Sequence, residues 1–455
     1  MAGVSHSAKT FTPKQGQYLA FIHAYTRLHR RPPAETDMQQ YFRVSPPSVH
    51  QMVVTLERAG FIRGSPAPSK CSLIRITCQS YFDPRSTCQN HCAEVLAGVG
   101  VAKHSVETCR ESDLPELFSQ FADWYRFNPR MQEPEYFAWQ FRDPPTRLTD
   151  AEYDFLVLRN EAGRIAGCLG MVGFEFRHRG RIATGGWTHN WHSEGQGEGG
   201  LTLLGRFMEL VDNRIFVRLN EISGRVLQLL RIPMCPAIPR WWAAIDPHRV
   251  AELAGMKDAA DRAILACSAE RFRANAAAPR AQLVARLAPD EEFRLEHFDG
   301  LEGHVRRTGR YLNWRYLDIP KHDYRIVRSE RAFGVYRIET VMGADVGIIR
   351  LLEWTFPAEE TGGALATVMA EAALRNPVLI DFHCTSRAVA AALDAFGFVP
   401  QTATQVSMPD LFRPTYRSGG YSLGIDRPPH RTRRTLDFDR WYITLGDSDV
   451  DRVKL

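Results

Sequence analysis

Apolar positions in the first 76 residues follow a helical spacing and then a strand spacing. They recur every three or four residues after Thr12, which predicts an amphipathic helix, and a second short helix is predicted over 35–42. Ser45 followed by Pro46 predicts the start of a third helix, because these residues favour the cap and the first turn. Two short apolar runs then flank a Pro/Ser/Gly turn, which predicts a two-stranded ribbon.

Further along, continuous apolar runs alternate with helical patterns. Strands are predicted over 153–159, 164–174 and 181–191, and a glycine-rich turn from Ser193 opens onto an apolar helix that runs to Val211. A strand over 215–220, a helix over 223–230 and a closing strand over 239–245 follow. Strands that alternate with helices in this way predict a mixed α/β (α+β) body.

One long motif occurs twice. Tyr136-x-x-Trp139-x-Phe141-x-Asp143-x-Pro145 returns as Tyr311-x-x-Trp314-x-Tyr316-x-Asp318-x-Pro320, and each copy is followed by an apolar strand that ends in Arg-x-Glu. Five matched positions at one spacing indicate two copies of one domain. We therefore predict a basic module over 1–76, a linker over 77–110, and two repeated domains over 111–285 and 286–455. Both tryptophans are predicted to belong to the core, since aromatic residues on a helix usually do.

Charge and composition narrow the class of protein. Ten Lys or Arg and three acidic residues precede residue 77, a net charge of +7 against +5 for the whole chain, as expected of a nucleic-acid-binding module beside a near-neutral body. No apolar run approaches the length of a membrane span and no signal peptide is evident, which predicts a cytoplasmic protein with no membrane contact.

Metal binding is not expected. Nine cysteines over 455 residues favour reduced thiols, and Cys88-x3-Cys92 is the one pair at zinc-ligand spacing. Asp447, Asp449 and Asp451 lack the glycine and distal glutamate of a calcium loop, so they are predicted to form a solvated tail.

The N-terminal residues resemble the winged helix-turn-helix domain of LexA-type repressors. Phe11-Thr-Pro-Lys-Gln15, Arg31-Pro-Pro33 and the stretch from Ser45 to Ile62 carry the resemblance, whereas nothing downstream resembles the self-cleaving peptidase of those repressors. It implies a DNA partner, a helix from Ser45 in the major groove, and dimeric reading of paired half-sites. The implied DNA contacts are Ser45, Pro47, Ser48, His50 and Gln51 on the helix, and Arg63 and Lys70 on the wing.

The repeated domains resemble the GNAT (N-acetyltransferase) superfamily. Gln196-x-x-Gly199-x-Leu201 matches three of the four elements of its acyl-CoA loop, with Leu201 in place of a small residue. The resemblance implies acetyl-CoA or another acyl-CoA as substrate, held by Trp191, Gln196, Gly197, Gly199, Gly200, Asn220 and Ser223. The implied candidates for the general base are His189, His192 and Glu175. The second copy carries Glu359 and Glu360 at its loop and is expected to have lost acyl-CoA binding.

Together these observations predict an N-acyltransferase that acts on an amine-bearing small molecule or sugar and is coupled to a DNA-binding module. Two alternatives remain open. One is a transcription regulator whose GNAT-like body senses acyl-CoA or a metabolite without catalysis, which Leu201 and the lack of a tyrosine in 223–230 favour. The other is an aminoacyl-tRNA-dependent transferase, in which the basic module would bind RNA.

Overall fold

The structure of the chain is a computed structural model. It describes residues 33–42, 44–65, 73–76, 104–125, 129–194, 198–217, 219–230, 232–275, 277–341, 344–409, 422–426 and 436–448, together with residues 12, 14, 15, 18, 19, 21, 22 and 25.

The N-terminal part forms the elements that its sequence pattern predicts. Its elements are α1 Glu35–Phe42, α2 Pro46–Arg58, β1 Ile62–Ser65 and β2 Leu73–Ile76, and the described residues between 14 and 25 are helical. The two strands pair antiparallel, with Ile62 opposite Ile76. Val49, Val53 and Leu56 are buried on one face of α2, as the spacing predicts. These helices and the ribbon are confirmed, while the assignment to a winged-helix family stays a prediction.

The first repeat contains three antiparallel strands, two of them long, followed by a helix and a parallel strand. Its elements are β3 Ser105–Thr108, α3 Leu114–Trp124, α4 Pro134–Phe141, β4 Phe155–Arg159, β5 Ile165–His178, β6 Arg181–Ser193, α5 Glu198–Leu210, β7 Asn213–Val217, α6 Glu221–Leu229 and β8 Met234–Cys235. β3 lies within the segment predicted to be a linker and pairs with β4.

From the repeated motif onward, the second repeat has the same order of elements as the first. The rest of the described chain forms β9 Arg240–Ala244, α7 Pro247–Leu253, α8 Ala259–Ala274, β10 Gln282–Val284, β11 Glu292–Phe293, β12 Gly303–Val305, β13 Arg307–Thr308, α9 Gly309–Leu312, a π-helical turn Asn313–Leu317, β14 Arg325–Arg328, β15 Phe333–Thr340, β16 Gly347–Trp354, α10 Ala358–Ala372, β17 Pro377–His383, α11 Arg387–Ala391, β18 Val399–Pro400, β19 Leu423–Asp426 and β20 Trp441–Tyr442. β4–β5–β6 and β14–β15–β16 are antiparallel, and β6–β7 and β16–β17 are parallel. The predicted duplication and the mixed α/β class are confirmed at the level of topology.

The two sheets exchange strands. Residues before 286 supply β9 and β10 to the second sheet, and residues after 285 supply β12, β19 and β20 to the first. β9 precedes the second repeat in the chain, yet it lies in the second sheet between β17 and β18. β19 comes from the C-terminal part and lies in the first sheet between β7 and β8. The closing strand predicted at 239–245 therefore forms, but it pairs with the sheet of the other repeat. The exchange crosses the boundary that we predict between residues 285 and 286.

A buried ionic cluster holds the exchanged strand β9 in place. Asp381 of β17 is fully buried and accepts hydrogen bonds from Arg240 of β9 and from Arg350 of β16. These two guanidinium groups hold the pKa of the Asp381 carboxyl well below its usual range, against the opposing effect of burial, so the carboxyl stays ionised. Arg240 also donates to the carbonyl groups of Met408 and Pro409, which ties the segment that contains them to β9.

The repeated tryptophans contact each other. The Trp139 indole N–H donates to the carbonyl of Trp314 at 2.7 Å, and the Trp314 indole N–H donates to the carbonyl of Trp139 at 2.9 Å. Their rings stack with centroids 5.4 Å apart and are 4% and 5% exposed. The prediction that both belong to the core is confirmed, and the reciprocal bonds show that the two copies meet through equivalent residues.

We predict that Trp139→Ala lowers the free energy of unfolding by about 3–5 kcal/mol, because it removes a buried ring and a buried hydrogen bond. Trp314→Ala should cost a similar amount. Since each ring is the other's partner, the double variant should cost less than the sum by about 0.5–3 kcal/mol. Chemical denaturation measures this coupling, and Leu374→Ala, at a position that is 95% exposed, serves as the control. Strict additivity of the two tryptophan variants would contradict the reciprocal contact.

Candidate functional site

The central strands of the first repeat separate after a short parallel pairing. β6 and β7 pair only at Gly185 with Asn213, Gly186 with Arg214 and Trp187 with Ile215. β6 continues for six residues beyond this point, and within the described part of the chain no strand pairs with that edge of its final segment. We call the segment 188–193 the open edge. Its backbone groups can accept an extended ligand in the way that a sheet edge accepts a further strand.

A bulge marks the middle of the open edge. Asn190 has a positive φ of 50°, and the pairing of β5 with β6 shifts there, so that Cys168 lies opposite His192 and Gly170 opposite His189. Cross-strand partners share a face of the sheet, and residues two apart on one strand do too. The bulge therefore brings His189 and His192 to the same face, although they are three residues apart in sequence.

The two histidines have different surroundings on that face. His189 is 4% exposed and lies among aromatic rings, with the Phe141 and Trp187 centroids each 6.2 Å from its own. His192 is only partly buried, and its ring lies 4.4 Å from that of Trp124 at the end of α3. Partial burial lowers the pKa of His192 below its ordinary value of 6.5, while Glu194 acts in the opposite direction. His192 is therefore neutral at neutral pH and can accept a proton.

A buried thiol and a phenol lie behind the bulge. Cys168 is fully buried and donates to the Asn190 carbonyl at 3.1 Å, and its thiol also contacts the Tyr125 side chain through a hydrogen bond. Burial raises the pKa of Cys168 far above its usual range, so the thiol stays protonated and is not a nucleophile.

The helix that follows the open edge begins in tight contact with the sheet. Gly199 and Gly200 are buried at the start of α5, and a Cβ at Gly199 would lie 2.3 Å from the Leu158 side chain. The Trp191 indole donates to the Gly200 carbonyl at 3.0 Å, which ties the helix to β6. Gln196 and Gly197, both predicted to contact acyl-CoA, lie outside the described residues.

The remaining predicted acyl-CoA contacts begin the next helix. Asn220 caps α6, because its side chain accepts from the Ser223 backbone N–H at 2.8 Å. Both residues follow β7 where it diverges from β6, so they lie across the gap from the open edge. Glu194, directly after the open edge, is paired with Arg164 at 3.1 Å, and this offsets its negative charge.

The structure does not bring Glu175 to the histidines. It lies five residues along β5 from the partner of His189, roughly 17 Å at the usual rise of a strand. Its carboxylate is paired with Arg306 at 2.8 Å, in a partly exposed group that also contains Glu292 and Arg177. Glu175 therefore links β5 to Arg306, which directly precedes β13.

The equivalent gap in the second repeat is filled by the C-terminal segment. Pairing of β16 with β17 ends at Leu351 and Phe382, and beyond it the Trp354 N–H donates to the Tyr442 hydroxyl at 3.0 Å. Thr444 forms a β-bridge with Cys384, which follows β17. Residues 441–444 thus lie between the diverging strands, where the first repeat has its open edge.

Buried charges hold this segment. Glu353 of β16 accepts from the hydroxyl groups of Tyr316 and Tyr442, each at 2.8 Å, and lies 3.0 Å from Arg307. Arg307 pairs in turn with Asp447 at 2.8 Å, and all three charged groups are fully buried. The prediction that Asp447 belongs to a solvated tail is wrong, because a buried arginine compensates its charge. Asp449 and Asp451 lie outside the described residues.

The predicted DNA contacts lie together at the exposed start of α2. Ser45, Pro47, Ser48, His50 and Gln51 are all exposed. The Ser45 and Ser48 hydroxyls are 2.9 Å apart, and His50 lies 3.1 Å from the Glu35 carboxylate. Arg63 lies on β1, and Lys70 lies outside the described residues.

A separate groove of about 690 Å³ runs beside the paired tryptophans. It is lined by Glu135, Ala138, Trp139 and Arg142 of α4 and its end, and by repeat-related residues such as Arg310, Asn313 and Asp318. Phe141, by contrast, lies against the sheet at Gly170. The groove and the open edge are therefore on opposite faces of α4.

Sequence reasoning missed Trp124, Tyr125 and Cys168. The signal for the first two was present, since Leu114, Leu117 and Phe121 form the buried stripe of a helix that ends in an aromatic pair. Nothing in the sequence places that pair opposite His192.

Among the described residues, no group of three or more His, Cys, Asp or Glu side chains could hold a metal ion. None of the described helices is both long and apolar enough to cross a membrane.

Comparison with known proteins gives only distant structural similarity. No family model matches the chain, and no curated protein matches it. N-myristoyltransferase of Saccharomyces cerevisiae with bound myristoyl-CoA is 10% identical, with 72% of this chain and 78% of that chain covered and a TM-score of 0.39. A GCN5-related N-acetyltransferase from Anabaena variabilis ATCC 29413 is 10% identical over 70% and 72%, with a TM-score of 0.40. One from Kribbella flavida is 11% identical over 62% and 64%, with a TM-score of 0.34. Similarities with TM-scores below 0.5 assign the chain to no family.

Two glycines of α5 provide a matched test of its packing. Gly199→Ala should lower the free energy of unfolding by about 1–3 kcal/mol, because the added methyl group overlaps the buried Leu158. Gly205→Ala, in the same helix with no atom within 4 Å of the added Cβ, should raise it by about 0.5–1 kcal/mol through helix propensity. Thermal unfolding measures both. Equal effects of the two variants would mean that α5 does not pack on β4 at Gly199.

Proposed function

We propose that the chain is an N-acyltransferase that binds an acyl-CoA along the open edge of β6 and transfers its acyl group to an amine. The observation that carries the proposal is the contrast between the repeats. Both contain diverging parallel strands, but the C-terminal segment fills the gap in the second and no described residue pairs across the gap in the first. This strand order is also what the resemblance to the GNAT superfamily leads us to expect.

The residues around the open edge suit a thioester with a phosphate-bearing arm. Unpaired strand backbone can hold an extended amide-containing chain, and the start of α5 directs backbone N–H groups toward a pyrophosphate. Glu194 would repel an anion bound there, and its pairing with Arg164 reduces that repulsion. A small residue is expected at Leu201, but Leu201 packs with the apolar cluster beneath α5, so it need not line the phosphate site.

The acyl transfer needs a base and an electrophilic site. The acceptor nitrogen attacks the thioester carbonyl, a C–N bond forms, the C–S bond breaks, and the leaving thiolate takes up a proton to become the free thiol of CoA. A backbone N–H of the open edge would stabilise the oxyanion. His192, neutral and partly exposed on the face where α3 ends, would take the amine proton. His189 is less suited, because aromatic rings enclose it.

We expect acetyl-CoA to bind the wild-type chain in isothermal titration, and amines to stimulate release of free CoA thiol. His192→Gln should lower the turnover rate by about 10²–10⁴-fold and leave acetyl-CoA affinity within about twofold, since the role is proton transfer. His248→Gln, at an exposed position on α7, is the control and should have wild-type turnover.

The pH profile provides a second readout. Because burial lowers the pKa of His192, the neutral form persists at pH 6.5, and turnover should decline only at lower pH as the ring is protonated.

Binding of acetyl-CoA without thiol release in the presence of any amine would favour the sensing regulator. If the chain binds no thioester, the proposal is wrong and the aminoacyl-tRNA alternative is favoured.

We further propose that the N-terminal module reads DNA through the start of α2. The exposed cluster at Ser45–Gln51 supports it, as does the excess of basic residues before residue 77. The packing of α1 against α6 supports a coupling between the module and the first repeat, because α6 begins at the gap beside the open edge.

Selected DNA duplexes should bind the chain, and Gln51→Ala should weaken that binding by about 5–100-fold at fixed salt, because a base contact is lost. Fluorescence anisotropy measures the change. Thr36→Ala, an exposed position on α1, should leave it unaltered. Equal losses for specific and random duplexes would argue against base reading by Gln51.

A further inference from the structure

Asn190 has an unusual backbone conformation for a residue inside a strand. Four non-glycine residues of the described chain have positive φ, and Arg179, Lys321 and Asn376 lie in turns or at a helix end. Asn190 alone among them lies within a β-strand, at the bulge of the open edge. Glycine adopts this conformation at lower cost than asparagine, so the backbone does not by itself explain the side chain.

The side chain of Asn190 is not explained by internal hydrogen bonds either. Its Oδ1 atom is buried and accepts no hydrogen bond from any of the described residues, whereas its backbone carbonyl accepts from Cys168. A buried amide oxygen without a donor lowers the stability of the folded protein. The protein should therefore be less stable with asparagine at position 190 than with glycine. This position lies on the strand whose edge is open.

A ligand donor would remove this cost. The arm of acyl-CoA between the thioester and the phosphates contains two secondary amides, each with one N–H group. An arm that lies along the open edge passes the bulge, and an N–H donor there would satisfy the buried oxygen. Unsatisfied groups of this kind at a binding site are tolerated in the free protein because the complex pairs them.

We propose that Asn190 is a positioning residue whose Oδ1 accepts a hydrogen bond from an amide N–H of the pantetheine arm. The inference rests on the proposed function. It adds the side chain that fixes how far the arm extends along β6. The position of the thioester carbonyl relative to His192 depends on that extension.

The test compares two Asn→Gly variants in the full-length chain. Asn190→Gly keeps the backbone conformation and removes the buried oxygen. Asn376→Gly makes the same change at another positive φ, at an exposed helix end. Asn190→Gly should raise the melting temperature more than Asn376→Gly does and should weaken acetyl-CoA binding by about tenfold, the value of one hydrogen bond. Asn376→Gly should leave the affinity unchanged.

A second ligand separates a lost contact from a damaged site. Adenosine 3′,5′-bisphosphate contains the phosphate end of CoA without the arm, and Asn190→Gly should bind it as the wild type does. If Asn190→Gly melts at a lower temperature than the wild type, or binds acetyl-CoA equally well, or loses affinity for both ligands alike, the inference is overturned. Failure of the wild type to bind acetyl-CoA overturns the inference and the proposed function together, whereas the other outcomes leave the function standing.

Discussion

Backbone N–H and C=O groups need partners wherever two parallel strands diverge, and this constraint shapes both halves of the molecule. In the second repeat the chain meets it internally, because Tyr442 and Thr444 bond to the groups that β16 and the end of β17 expose. The buried charges of Arg307, Glu353 and Asp447 then fix that segment. In the first repeat the described chain supplies no such segment, and the same constraint leaves an edge that suits an extended ligand.

The divergence also organises the chemistry that we propose. The bulge at Asn190 adds one residue to β6, and this turns His192 to the face where α3 ends in Trp124 and Tyr125. Without the extra residue, His192 would lie on the opposite face from His189. A single local irregularity therefore determines which side chains can reach an acceptor and which backbone groups can reach a thioester.

Much of the fold could be predicted from the sequence, because local patterns determine local structure. The repeat around Trp139 and Trp314, the central strands of the first copy and the helix from Ser45 all follow from spacing, whereas β3 lies where the pattern predicts a linker. The exchange of β9 and β19 could not be predicted, since the periodicity of a strand does not name the strand beside it. The burial of Asp447 depends on Arg307, which is 140 residues away, and the contact of Trp124 with His192 depends on tertiary packing in the same way. At the site, the histidines could be listed from sequence, but the bulge that brings them together could not.

The exchanged strands have a consequence for synthesis. The outer edge of β7 is covered by β19, which comes some 200 residues later, and β9 must wait for β17. A ribosome that has released only the first repeat has therefore delivered a sheet with an uncovered edge and a strand with no neighbour. Neither half can reach its final form before the segment that contains β19 and β20 has emerged, so the first repeat waits for the second to be synthesised.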